Sequence, residues 1–131
     1  MSRILIIEDD PLLSKMYKTK FTSEGFEVET AEDGEIGLKI AMEGKPDFVI
    51  LDIMMPKLSG IEFLKRLRQN QVGADVPVIV LSNLSEKKEM EEARRLGVKE
   101  YLIKSSLTPK DIVEKVKEYL SPMGYSGGAI S

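Results

Sequence analysis

The sequence predicts an α/β fold, a doubly wound, five-stranded parallel sheet with helices on both faces. Five short apolar runs recur at fairly even intervals along the 131 residues. A segment of helical character follows each, which is the pattern of a repeated βα unit. Three of the runs, 4–7, 48–51 and 78–81, are continuously apolar and rich in β-branched residues, as central parallel strands covered on both faces must be. The other two alternate: Phe26, Val28 and Thr30 with Glu27 and Glu29, and Val98 and Tyr101 around Lys99 and Glu100. Half-exposed strands of that kind belong at the edges of the sheet.

Helix punctuation fills the intervals. Asp10 followed by Pro11 reads as an N-cap and a first helical residue, with Leu12, Leu13 and Met16 as the apolar stripe behind them. Leu38 and Ala41 mark a second helix less clearly. Gly60, Phe63, Leu64 and Leu67 mark a third, and Met90, Ala93 and Leu96, stopped by Gly97, a fourth. Thr108, Pro109 and Asp111 form a capping box ahead of Ile112, Val113, Val116 and Leu120. Residues 121–131 are rich in Gly and Ser and carry no periodicity, which predicts one domain over 1–120 followed by a flexible tail.

Composition narrows the chemistry. The chain has no cysteine and no histidine, which removes disulfides, thiolate nucleophiles, zinc sites of the usual kind and every mechanism that needs an imidazole base. No apolar run approaches the roughly 20 residues of a membrane span, and no signal peptide opens the chain, so a cytoplasmic protein is expected. A net charge of −3 offers no large positive field, and DNA or RNA binding by this chain is not expected.

Parallel strands joined by right-handed crossovers bring their carboxyl ends to one edge, where open α/β folds bind ligands. Following each strand to that edge gives Glu8, Asp9 and Asp10, then Asp52, then Ser82 and Asn83, and finally Lys104. Singly, each has a plain structural reading as a cap, a turn residue or a solvated charge. Together the carboxylates repel, by about 1 kcal/mol per pair at 4 Å in water and about 4 kcal/mol at an effective dielectric of 20. Carboxylates held so closely call for a cation. With oxygen ligands only, and few of them, magnesium fits better than calcium. A magnesium ion beside a carboxylate, an ammonium and a hydroxyl is equipment for phosphoryl transfer, with Asp52 as nucleophile.

The strings Ile-Leu-Ile-Ile-Glu-Asp-Asp at 4–10 and Leu-Asp-Ile-Met-Met-Pro-Lys-Leu-Ser-Gly at 51–60, together with Ser82 and the Tyr101–Lys104 spacing, resemble the bacterial response-regulator receiver family of two-component signalling. The resemblance covers residues 3 to about 120 and implies a flavodoxin-like sheet of order 2-1-3-4-5. It also implies Asp52 as phosphoacceptor and metal ligand, Asp9 as a direct metal ligand, Glu8 as an indirect one through water, and the backbone carbonyl of Met54 as a further ligand. Ser82 and Tyr101 match the switch hydroxyl and switch aromatic, and Lys104 the lysine that contacts the phosphoryl group. Met54 and Leu84 match the positions that flank the path of hydrolytic water. Two positions depart from the family pattern: Ser105 follows Lys104 in place of a frequent proline, and Asn83 follows Ser82 in place of a very small residue.

What the resemblance implies is a signalling switch. A histidine kinase or histidine phosphotransfer protein donates to Asp52, and the output passes to a downstream protein whose identity the sequence does not carry. Such a switch catalyses only its own phosphorylation and dephosphorylation and is not otherwise an enzyme. A magnesium-dependent aspartyl phosphatase is the alternative, but such enzymes usually place an acid/base Asp where this chain has Met54. A flavin or nucleotide binder would need a Gly/Ser/Thr-rich first loop to cradle phosphate, and Glu-Asp-Asp stands there instead.

Overall fold

The three continuously apolar runs form the middle of the sheet. The computed structural model describes residues 2–55, 57–83 and 86–120; the tail and Leu84, both addressed by the sequence reading, lie outside them. Strands β1 (Arg3–Ile7), β2 (Glu27–Ala31), β3 (Phe48–Leu51), β4 (Val78–Ser82) and β5 (Glu100–Ile103) pair in the order β2-β1-β3-β4-β5. Every pairing is parallel. The edge strands β2 and β5 are only partly buried, while β3 and β4 are buried throughout. Among the described residues, no helix is long and apolar enough to cross a membrane.

Alternation along the central strands sorts the core into two layers. Leu5, Ile7, Val49, Leu51, Val78 and Val80 face the helices α2 (Gly34–Gly44), α3 (Gly60–Gln69) and α4 (Lys87–Arg95). Ile4, Ile6, Phe48, Ile50, Ile79 and Leu81 face α1 (Pro11–Ser23) and α5 (Pro109–Leu120).

Helix starts follow their caps. Asp10 accepts from the N–H groups of Leu12 and Leu13 at 2.9 and 3.3 Å. Asp33 accepts from Ile36, and Ser59 from Glu62. At α5 the N–H of Thr108 donates to Asp111 Oδ2 at 2.9 Å while the N–H of Asp111 donates to Thr108 Oγ1 at 3.2 Å, a reciprocal box built with Asp in the usual place of Glu.

Two expectations are corrected. Of the predicted stripe of α1 only Leu13 packs against the core: Leu12 is 66% exposed and Met16 43%, and the fully buried side chains are Tyr17 and Phe21. The fifth strand begins at Glu100 rather than Val98, because the N–H of Val98 closes the end of α4 on the carbonyl of Ala93.

α2 packs by close approach. A Cβ on Gly34 would come within 2.3 Å of the Leu58 carbonyl oxygen, and one on Gly37 within 2.6 Å of Ile7 Cδ1. The fully buried positions of α2 are the small residues Gly34, Gly37 and Ala41, with Leu38, Ile40 and Met42 packed only partly buried beside them, and the apolar signal in the sequence is faint for that reason.

At the edge where β4 and β5 begin, Arg68 of α3 gathers backbone carbonyls from two connections. Its guanidinium donates to Leu96 (2.8 Å) and Gly97 (3.4 Å) after α4, and to Gly73 (3.0 Å), Ala74 (3.4 Å) and Val76 (2.7 Å) before β4.

Candidate functional site

At the opposite edge, where the strands end, six side chains meet. Glu8 directly follows β1, its N–H bonded to the Ala31 carbonyl at 2.9 Å. Asp52 directly follows β3, its N–H bonded to the Ile7 carbonyl at 3.0 Å. The sheet ladder thus fixes both backbones, and both side chains are buried. Asp9 lies exposed between Glu8 and the helix cap Asp10. One carboxylate oxygen from each of Glu8, Asp9 and Asp52 lies within 4.8 Å of the others.

Lys104 reaches into this group from the far side. It follows β5 as the first residue of a 3₁₀ turn, Lys104–Ser106. Its ammonium lies 2.7 Å from Glu8 Oε1 and 3.2 Å from Asp52 Oδ2, with the side chain 11% exposed. The second oxygens are used as well: Glu8 Oε2 accepts from the N–H of Asp10 at 3.1 Å and Asp52 Oδ1 from the N–H of Met54 at 3.2 Å. Ser82, 1% exposed at the end of β4, shares a side-chain hydrogen bond with Tyr101. Met54 contributes its backbone to the site while its own side chain is 61% exposed.

Charge balance sets the protonation tendencies. Three carboxylates face one ammonium, so the local sum is two negative charges. Burial, aided by neighbouring carboxylates, pushes both Glu8 and Asp52 above the usual carboxylate range despite Lys104. Burial opposes the charge on Lys104, but its hydrogen bond to Glu8 and the charge of Asp52 outweigh it and hold the ammonium above its ordinary value. An excess of two negative charges on hard oxygen donors, one of them open to solvent, matches a divalent hard cation. The residues present fit magnesium on that ground.

The structure brings together Glu8, Asp9, Asp52, Ser82, Tyr101 and Lys104, all of them singled out from the sequence. Asp10 stands apart as the cap of α1. Two residues escaped the sequence reading, and so did one contact of Asn83, a residue it had named. Tyr17 of α1 is buried within electrostatic reach of Lys104, Glu8 and Asp52, and burial pushes its phenol up. Lys57, with φ +68°, lies 3.9 Å from the buried α2 cap Asp33 and ties the loop after Asp52 to α2. Asn83 Oδ1 accepts from the N–H of Ser105 at 3.1 Å, joining the two loops that carry Ser82 and Lys104. Contacts between residues so distant in sequence leave no local pattern to read.

Comparison with known proteins matches residues 4–117 to the response regulator receiver domain. The DNA-binding dual master transcriptional regulator RpaA of Synechocystis is 36% identical over 114 residues, which cover 87% of this chain and 46% of that protein. The alkaline phosphatase synthesis transcriptional regulatory protein PhoP of Bacillus subtilis is 34% identical over 118 residues, 90% of this chain and 48% of that one. The chain spans about half the length of the curated relatives it matches. Among solved structures, a CheY-like response regulator receiver domain protein from Methanospirillum hungatei superposes with a TM-score of 0.87 at 27% identity, covering 97% of this chain and 99% of that one. CheY from Borrelia burgdorferi, solved in a complex with CheX, beryllofluoride and magnesium, gives 0.82 at 29% identity, with 91% and 89% covered. The parallel sheet with its acidic edge and the match over nearly the whole described chain converge on one assignment, and the chain belongs to the response regulator receiver domain family.

Proposed function

We propose that this chain is a phosphorylation switch that accepts a phosphoryl group on Asp52 from a partner phosphohistidine. The observation that carries the reading is the Asp52 carboxylate held 3.2 Å from the Lys104 ammonium, with oxygens of Glu8 and Asp9 close by. Asp52 attacks phosphorus, a P–O bond forms, the P–N bond to the donor imidazole breaks, and the donor nitrogen leaves with the electron pair.

Magnesium would be held by Asp9, Asp52 and the Met54 carbonyl, with Glu8 acting through water, and it supplies neutralisation of charge on the phosphoryl oxygens. Lys104 exchanges part of its contact with Asp52 and Glu8 for a phosphoryl oxygen. Ser82 donates its hydroxyl hydrogen to another. A hydroxyl can donate once and still accept, so Ser82 keeps Tyr101 as a partner while it turns to the new group.

A histidine kinase or histidine phosphotransfer protein is the donor, since this chain has no histidine of its own. The output is phosphorylation-dependent binding of a downstream protein. Hydrolysis of external phosphate esters is not part of this reading, because the position that would hold an acid/base Asp is Met54, an apolar side chain.

Intact-mass analysis after treatment with a small phosphodonor and magnesium tests the proposal. One phosphoryl group is expected per chain, and none in Asp52→Asn. An adduct that persists in the variant would place the acceptor elsewhere, and steady turnover of a phosphate ester would favour the phosphatase.

A further inference from the structure

We propose that Asn83 is a positioning residue for Lys104, acting through the backbone N–H of Ser105. The sheet orders the approach to Lys104 only so far. The last paired residues of β4 and β5 are Ser82 and Ile103, so Lys104 is the first residue beyond the ladder. It opens a 3₁₀ turn closed by the N–H of Leu107 on its carbonyl at 3.3 Å. N–H groups at the start of such a turn have no partner within it. That of Ser105 is taken instead by Asn83 Oδ1, from the residue immediately after Ser82. Asn83 therefore adds one rung past the end of the β4–β5 ladder, made by a side chain.

The two ends of this bond are the two positions where the sequence departs from the receiver pattern. A proline at 105 would have no N–H to give, and a very small residue at 83 would have no oxygen to receive it. The two departures are complementary. What the bond secures is the backbone from which a side chain with four rotatable bonds must bring its ammonium within 2.7 Å of Glu8 and 3.2 Å of Asp52. Without it, the turn is anchored on its upstream side by the strand alone.

The first test needs no phosphoryl chemistry and does not depend on the proposed function. In the metal-free protein, Ser105 amide exchange and the Lys104 ammonium signal are followed by NMR in the parent and in Asn83→Ala, Asn83→Leu and Asn83→Asp. Ala and Leu remove the acceptor, Leu at nearly constant size, and Asp restores it. Faster Ser105 exchange and loss of the slowly exchanging ammonium signal are expected in Ala and Leu, with recovery in Asp. An unchanged ammonium signal in Ala and Leu would overturn the proposal.

The second test rests on the proposed function. Beryllofluoride affinity at saturating magnesium should fall by about two- to tenfold in Asn83→Ala, the range expected for one hydrogen bond, without weaker magnesium binding. In a Lys104→Met background the same change should have no further effect, because the residue it positions is gone. Equal losses in both backgrounds would mean that Asn83 acts on the site directly. A parent that takes up no beryllofluoride would defeat the proposed function, while the metal-free measurement would still decide the role of Asn83.

Discussion

Asp52 is 6% exposed and shares its surroundings with two other carboxylates, so burying it ionised is costly. Its pKa is raised on folding, which makes the protonated form the one that folding favours. The corresponding stability is fully present below the ordinary value of 3.8 and is lost as the pH rises through the raised folded value. In chelator at pH 7, Asp52→Asn should therefore be more stable than the parent by about 1 kcal/mol, the scale of one screened repulsion. The gain should shrink as the pH falls through the raised folded value and be gone well below the ordinary value of 3.8. Denaturant titration of both proteins across that range checks it, and an Asn variant weaker at neutral pH would mean that Lys104 more than offsets the repulsion. Residues such as Asp52 and Lys104 were legible because each directly follows a strand, and strand ends are visible as the close of an apolar run. Tyr17 was not, since the exposed Leu12 and Met16 competed with Leu13 as markers of the inner face of α1.

Elements were readable where side chains carry the packing and obscure where backbone does. α3 announced itself through Phe63, Leu64 and Leu67, all fully buried. α2 did not, because Gly34 and Gly37 let it lie against Leu58 and Ile7 with little side chain between. Gly34→Ala measures that closeness. Its Cβ would meet a backbone oxygen that cannot swing aside, and a loss of about 1–3 kcal/mol is expected from overpacking, although alanine is the better helix former. Thermal unfolding decides the sign. The capping box of α5 was legible in full because its signal lies within one turn of sequence.

For the whole molecule, exposure sorted the strands into middle and edge, with continuous apolar runs inside and alternating ones outside, while the order within the sheet came from the family resemblance. Long-range ties such as Arg68 to the carbonyls on two connections have no sequence signature of this kind. The acidic edge gives the molecule a stability that depends on its ionic surroundings. A cation that binds only the folded site adds stability by mass action, about 2.7 kcal/mol at one hundred times its Kd. Magnesium should therefore raise the Tm of the parent in a concentration-dependent way, and do so much less in Asp9→Asn or Asp52→Asn. Equal shifts in all three would assign the effect to nonspecific ion binding.

The Arg68 clamp makes α4 a lever with a fixed fulcrum. Its far end is fastened through the carbonyls of Leu96 and Gly97, whereas its near end, beside the strand-end site, starts at Glu86 with no side-chain cap. The expected response to a push on the N-terminal end of α4 is a turn about Arg68 instead of a slide along the sheet, with the largest travel at the end nearest Asp52. Amide exchange along α4 should reveal the asymmetry as protection that rises toward Arg95. In Arg68→Met, whose orphaned carbonyls should cost about 1–3 kcal/mol in stability, that gradient should flatten, and the helix would have lost its pivot.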